Sequence, residues 1–543
     1  MRDRRRPLPL GAVSAAVRAV AAAVVLCLVV ASCTGSDRDA AGDAPTTSTS
    51  PSATTTSTEP PTTTTTVQLP PAVPIRWSGC GGGLECATVD VPVSYQDPTG
   101  PTLQLALVKN PADLPDRRIG TLLVNPGGPG ASGVRRVARG FEITPEVADR
   151  FDIVGFDPRG IGQSSPIRCG SAVPAFRAAD LDPDSPGEEQ QLEAAARAVA
   201  EECAGTEGAR LGHYGSVDVV HDIEVIRRAL GEDRISFVGI SYGTLLGQLW
   251  AEWYPTSVRA MVLDGVVSTT ASTPDRSHGD DPRRDQPGRG DRRAAADEAS
   301  ADGDGDGDGE AQARAVDRTF DAMTAACAAD ASCPLADDGG LGVAYDELAR
   351  RIETGTVAGH GVGPTQLAYA VFWATYDAAR WPRLWEAVER GLGGDLAPVA
   401  DLAESFTRIV PYAPFAITSC LDRPHPSTYE GWRAEAAAKE ARSPRFGAIL
   451  GNELLPCAFW PPATLGPVPV DARGAPPILV VGSTGDAATP YEVAVRVARR
   501  LESGALLTVE QEGHVATGDS DCADDAITRY LVDLAVPAAG TRC

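Results

Sequence analysis

The sequence predicts an α/β protein: a mostly parallel central sheet covered by helices on both faces, with a helical cap inserted into it. Three observations carry this. From residue 75 onward, short apolar runs rich in Val, Ile, Leu and Phe alternate with longer amphipathic stretches, the pattern of strands buried on both faces. The alternation breaks over residues 267–440, of which 316–440 are mostly helical by composition, and then resumes. The 543 residues are 43% apolar, enough for a large core.

Taken in chain order, residues 1–32 read as an export signal. Arg2, Arg4, Arg5 and Arg6 precede an apolar run, clean from Ala19 to Val30, that is too short for a membrane span. The run ends in Val30-Ala31-Ser32-Cys33, which resembles the lipobox of bacterial lipoproteins. That resemblance implies cleavage before Cys33, lipidation of its thiol and a membrane anchor at the outer face of the cell; plain secretion is the alternative. Residues 33–74 are dominated by Thr, Ser, Pro, Ala and Asp. Such a stretch buries too little surface to offset its chain entropy and is expected to be a disordered tether.

Residues 75–266 form the first part of the expected core. Strands are predicted at 102–108, 120–125, 151–156, 235–240 and 258–263, with helices at 217–230 and 244–253. A glycine-rich turn, Pro126-Gly127-Gly128-Pro129-Gly130, follows the second of these strands. Residues 441–543 form the second part of the core, with strands at 477–481 and 505–509. A cap at 267–440 would then lie over the carboxyl edge of the sheet, where open α/β sheets bind ligands. Within it, residues 271–315 lack bulky apolar positions and are expected to be disordered. The acidic repeat from Asp302 to Gly309 does not fit a calcium loop, because Ala313 or Ala315 stands where the bidentate Glu should be. It reads as a solvated charge repeat, and neither a metal nor a cofactor is implied.

Beyond Cys27 and Cys33, ten cysteines remain: Cys80, Cys86, Cys169, Cys203, Cys327, Cys333, Cys420, Cys457, Cys522 and Cys543. An even number without a CxxC pair, in an exported chain, points to disulfides. Pairing each with its neighbour in sequence gives short loops, although many connectivities are possible. A net charge of −25 argues against a nucleic-acid partner.

The chemistry centres on Gly239-Ile240-Ser241-Tyr242-Gly243, between a predicted strand and a predicted helix. A sharp strand-to-helix turn leaves no room for side chains two positions either side of the serine, and it lifts Oγ clear of the sheet. A serine nucleophile needs a base. Of His213, His221, His278, His360, His425 and His514, only His514 follows a late strand, where a loop can carry the imidazole over the sheet edge. The orienting acid is expected at Asp486, in the glycine-rich turn after the strand at 477–481, with Asp264 as runner-up. The chain order Ser241, Asp486, His514 is that of α/β-hydrolases. For the oxyanion hole the expected donors are the amides of Tyr242 and Gly128, with Gly127 as the alternate to Gly128.

These segments resemble a known family. Asn125-Pro126-Gly127-Gly128-Pro129-Gly130 is similar to the oxyanion turn of the prolyl-iminopeptidase-like serine hydrolases. Asp157-Pro158-Arg159-Gly160-Ile161-Gly162-Gln163-Ser164 resembles a segment of theirs read as structural. Gly239 to Thr244 matches their elbow, and Gly485-Asp486-Ala487-Ala488-Thr489-Pro490 their acid turn. Ala416 to Asp422 and Cys457 to Pro461 look like the exported tripeptidyl aminopeptidases of actinobacteria and their lipoprotein relatives.

The resemblance implies hydrolysis of peptides from a free N-terminus, under a cap that closes the non-prime side. An acid must then meet the substrate ammonium; Asp422 and Glu453 are the candidates, and Trp460 and Tyr242 could line the pocket. Two alternatives stand beside the peptidase: a carboxylesterase or lipase with the same triad, and a non-catalytic envelope-binding lipoprotein that keeps the fold.

Overall fold

The computed structural model describes residues 67–141, 144–269, 308–336, 339–466 and 468–543. The expected export signal, Cys33, residues 34–66 of the expected tether and most of the 271–315 segment lie outside the described residues. Among the described residues nine strands form one sheet: β1 (Ser78–Gly81), β2 (Leu84–Pro92), β3 (Thr102–Asn110), β4 (Gly120–Asn125), β5 (Phe151–Phe156), β6 (Ile235–Ile240), β7 (Val258–Asp264), β8 (Ile478–Gly485) and β9 (Gly504–Glu512). Their order is β1-β2-β3-β5-β4-β6-β7-β8-β9. The pairs from β1 to β5 through β3 are antiparallel, and every pair from β5 through β4 to β9 is parallel.

The parallel strands read as short, largely apolar runs because both faces are covered. Successive residues alternate between two cores with the period of the pleat. Leu123, Phe237, Met261, Leu263 and Val480 enter one core, against helices α5 (Ser216–Leu230), α6 (Gly243–Trp253) and α15 (Tyr491–Arg500). Leu122, Val124, Val238, Ile240, Val262 and Val481 enter the other, with α1 (Gly133–Ala138), α2 (Pro145–Arg150) and α16 (Asp521–Asp533).

A third core belongs to the cap. Between β7 and β8 the described chain forms α7 (Asp308–Ala329), α8 (Gly340–Glu353), α9 (Pro364–Ala374), α10 (Trp381–Leu392), α11 (Ala397–Thr407), α12 (Tyr412–Asp422), α13 (Tyr429–Glu440) and α14 (Gly447–Asn452). Their apolar faces share one cluster with Phe176 of α3 (Val173–Ala178) and with Leu192, Val199 and Cys203 of α4 (Pro186–Glu207). Leu455, Cys457 and Trp460 join it from beyond residue 440. The cap is thus built from more of the chain than the one stretch that composition marks.

The segment expected to be disordered over 271–315 is corrected at its end. Helix α7 begins at Asp308, and Ala311, Ala313 and Ala315 are buried. Alanine is the best helix former and packs closely, so a lack of bulky side chains did not mean a lack of structure there.

The ten cysteines pair in sequential order: Cys80–Cys86, Cys169–Cys203, Cys327–Cys333, Cys420–Cys457 and Cys522–Cys543. Three of these ties serve the cap: Cys169–Cys203 holds α4, Cys327–Cys333 closes the end of α7, and Cys420–Cys457 joins α12 to the turn before Trp460.

The Asp157–Ser164 segment is a scaffold, buried except at Gly162 and Gln163. Arg159 is 1% exposed and pairs with Asp222 of α5 through Nη2 at 2.6 Å and Nε at 2.8 Å. Its Nη1 donates to the carbonyls of Val93 (2.7 Å) and His213 (3.1 Å), and Tyr95 Oη donates to the same Asp222 at 2.7 Å. Asp157 accepts from Ser132 Oγ, Val134 N and Gln163 N, which fixes the start of α1 against β5.

Candidate active site

Ser241 stands between β6 and α6 with φ at +54°, the left-handed region that a non-glycine residue enters at a cost. Its backbone is held on both sides. Ser241 N donates to Asp264 O at 2.8 Å, while Thr244 N and Oγ1 donate to Ser241 O at 2.9 and 2.6 Å. Both flanking glycines are required by close approach: a Cβ on Gly239 would lie 2.4 Å from Gly243 O, and one on Gly243 would lie 2.5 Å from Asn125 O.

His514 follows β9, with its N–H donating to Tyr376 O at 3.1 Å and its ring edge-on to the Tyr376 ring at 5.2 Å. Its Nδ1 is 2.8 Å from Asp486 Oδ2 and 3.0 Å from Oδ1. Asp486 is itself fixed. Its Oδ1 accepts from Ala488 N (2.9 Å) and Thr489 N (2.8 Å), and its Oδ2 from Thr489 Oγ1 (2.7 Å). Thr489 Oγ1 is also 3.2 Å from His514 Nδ1. An ionised Asp486 draws the ring proton to Nδ1 and leaves Nε2 as a proton acceptor. Burial pulls the imidazole pKa down, but the charge and hydrogen bond of Asp486, with Asp264 adding to them, leave it above the ordinary value of 6.5.

Asp264, the runner-up acid, serves elsewhere. Its carboxylate accepts from Ala516 N (3.0 Å), Thr517 N (2.7 Å) and Thr517 Oγ1 (2.6 Å). It therefore fixes the loop after His514, while its carbonyl holds Ser241. Burial pushes its pKa up to about 6 against these hydrogen bonds.

Geometry also separates the two glycines considered for the oxyanion turn. Gly127 N–H donates to Asn125 Oδ1 at 3.0 Å, and a Cβ on Gly127 would lie 2.3 Å from Ile240 O. Among the described residues, the amides of Gly128 and Tyr242 donate to no protein acceptor. Gly128, Ser241, Tyr242 and His514 border one cavity of about 340 Å³, roofed by cap residues including Phe372, Tyr376, Phe406 and Phe415. A second cleft of about 580 Å³, lined by Arg135, Asp157, Gln163 and Tyr412 among others, is bordered by neither Ser241 nor His514.

The three residues expected to bind substrate part company. Asp422 borders the cavity, but its carboxylate is committed to Ser216 N (2.6 Å), Ser216 Oγ (2.8 Å) and Tyr242 Oη (2.6 Å). Burial pushes its pKa up to about 6. Glu453 borders the cavity too, and among the described residues no donor is bonded to its carboxylate. Burial raises its pKa, opposed by the charges of Arg177 and Lys439.

Trp460 is corrected: it is not among the residues lining the cavity, and its Nε1 donates to Ala200 O of α4 at 3.0 Å. An indole beside a half-cystine fills the cap interior, where its N–H needs a partner. Sequence reasoning gave no role to Tyr376, Arg177, Arg423 or Lys439, all of which face the cavity. Each comes from a cap element that only the fold brings over Ser241. Thr489 stood inside the quoted acid turn, but its hydroxyl role needed the geometry.

An elbow serine, a late-strand histidine bonded to an acid and a doubly wound sheet under a cap define a serine hydrolase of the α/β-hydrolase class. Comparison with known proteins agrees. Residues 120–308 match the family model "alpha/beta hydrolase fold", and residues 443–543 match "TAP-like protein". Serine protease Hip1 of Mycobacterium tuberculosis is 32% identical over 516 residues, covering 87% of this chain and 91% of that protein. Tripeptidyl aminopeptidase of Streptomyces lividans is 30% identical over 494 residues, covering 86% of each. Carboxylesterase B of M. tuberculosis is 32% identical over 490 residues, covering 84% of this chain and 86% of that protein. Among solved structures, proline iminopeptidase of Mycobacterium smegmatis aligns with a TM-score of 0.38 at 15% identity, covering 82% of this chain and 99% of that one. The chain belongs to the α/β-hydrolase family, in its TAP-like group, and is an enzyme of the serine-peptidase type.

Proposed function

We propose that this protein is an exported aminopeptidase that removes short, tripeptide-type segments from peptides with a free N-terminus. Ser241 Oγ attacks the scissile carbonyl as His514 Nε2 takes its proton, and the amides of Gly128 and Tyr242 receive the developing oxyanion. The tetrahedral intermediate then expels the leaving amine, which takes the proton from His514. Water, activated by the same imidazole, frees the acyl segment and restores Ser241.

The observation that carries the peptidase reading is Glu453. Of the two acids among the described residues that border the cavity, Glu453 is the one with an uncommitted carboxylate, and it suits an ammonium group. A panel of tripeptide amides, their N-acetylated forms and short-chain esters tests this. The proposal expects rapid cleavage of the free peptides only, and Glu453→Gln should slow them roughly 10- to 100-fold while affecting the acetylated forms far less. The similarity to carboxylesterase B supports a second reading, an esterase, and turnover of esters alone would establish it.

The same proposal extends to the envelope. Cys33 becomes the lipidated N-terminus of the mature chain, leaving the domain tethered to the outer face of the membrane. A Cys33→Ala chain should appear in the medium without acyl mass; unchanged membrane fractionation would rule the anchor out.

A further inference from the structure

The cavity over Ser241 carries more positive than negative charge, in a chain whose net charge is −25. Arg177, Arg423 and Lys439 face it, against Asp422 and Glu453. The Asp422 carboxylate is already spent on Ser216 and Tyr242. Neither Lys439 nor Arg423 has a side-chain hydrogen bond or ion pair among the described residues. Arg177 donates Nη1 to Thr407 O at 3.1 Å and lies over the Tyr412 ring at 5.2 Å, but its Nε is buried without an acceptor.

These groups share one field. Burial pushes the Lys439 amine pKa down, Glu435 opposes this, and the Arg423 charge adds to the fall. Once a substrate ammonium has neutralised Glu453, three cations remain on the cavity wall with Asp422 as the other lining carboxylate, while Glu435 and Glu310 act on Lys439 from outside the lining. Arg423 is exposed and adds its charge to the field, while the partly buried Lys439 ammonium and the buried Arg177 Nε lack acceptors, a costly state unless a bound anion satisfies them.

Resting on the aminopeptidase reading above, we infer that the cavity selects peptides with an acidic side chain among the released N-terminal residues. Lys439, Arg423 and Arg177 are the specificity-determining cations. A peptide's C-terminal carboxylate is excluded as the anion because it leaves with the amine product, on the other side of the scissile bond. A side-chain carboxylate of Asp or Glu remains on the acyl side, where it can reach guanidinium and ammonium donors in charge-assisted hydrogen bonds.

The test uses the full purified protein and a tripeptide-amide series in which each acyl position in turn carries Glu, isosteric Gln or Lys, with Ala elsewhere. At one position or more, Glu should exceed Gln by roughly tenfold in kcat/KM. The preference should weaken with added salt, and Lys439→Glu should reverse it towards Lys-containing peptides. Equal turnover of Glu and Gln peptides at every position would overturn the inference while cleavage of the all-Ala peptide upheld the peptidase. Failure to cleave any free peptide, with esters turned over, would overturn both.

Discussion

The Tyr242 hydroxyl donates to Asp422 Oδ2 at 2.6 Å, joining the residue after the proposed nucleophile to the end of cap helix α12. The Tyr242 backbone amide is also the proposed oxyanion donor, so a cap carboxylate fixes a piece of the catalytic turn. Ser216, at the start of α5, bonds to both partners and locks the core side of this contact. Tyr242→Phe should cost about 1–3 kcal/mol of stability by leaving a buried carboxylate short of a donor. Asp422→Asn should slow free and N-acetylated peptides by the same factor, because Asp422 positions the turn and does not meet the ammonium. Denaturant unfolding and paired steady-state kinetics check the two outcomes.

The raised pKa of His514 sets the pH profile. The base acts when neutral, so kcat/KM should rise with pH through a midpoint above 6.5. Asp486→Asn removes the charge and bond that raise it while burial remains, so the midpoint should move down as the rate falls by about 10⁴-fold. The same shift links to folding. A base whose pKa is higher folded than unfolded adds stability that is full below its ordinary 6.5 and lost as pH rises through the raised value. Rate and unfolding profiles of the two proteins, measured together, test both statements.

Arg159 is the cation of a fully buried pair. Arg159→Ala should destabilise the protein by about 3–5 kcal/mol, since Asp222 would be left charged and short of donors. Urea unfolding measures this. A loss below 1 kcal/mol would contradict the buried scaffold drawn from residues 157–164.

The Cys420–Cys457 bridge closes a separation of 37 residues within the cap. Replacing both cysteines by Ala should cost about 3–4 kcal/mol by the loop-closure argument. Because the bridge leaves α12 only two residues before Asp422, activity should fall ahead of global unfolding on warming. Parallel thermal scans of activity and circular dichroism distinguish the two.

Much of the core was legible because the physics there is local. Strands β4, β5 and β6 are almost wholly buried on both faces, so each shows as a short, largely apolar run despite Thr121, Asp152 and Ser236 within them. Strand β1 is exposed throughout, reads Ser-Gly-Cys-Gly, and has no apolar pattern to find. The pairing of β2 with β3 is equally invisible along the chain, since it is set by register across an antiparallel edge.

At the site, the elbow glycines, Asp486 and His514 carried positional signals at strand ends. Asp422 carried none for its partner: Ser216 lies 206 residues away, and only the closed cap brings the two together. Trp460 shows the converse. An aromatic next to a motif suggested a pocket wall, but its indole N–H had a carbonyl to satisfy inside the cap.

The central claim is an acyl-enzyme on Ser241 formed from the N-terminal end of a peptide. Mass spectrometry of the intact enzyme, quenched during turnover of a free-N-terminus tripeptide ester or amide, tests it most directly. The mechanism predicts a mass increase equal to the acyl segment, mapped to the peptide containing Ser241, absent in Ser241→Ala and much weaker with the N-acetylated substrate. Turnover with no adduct at Ser241, or an equal adduct from the acetylated substrate, would contradict it.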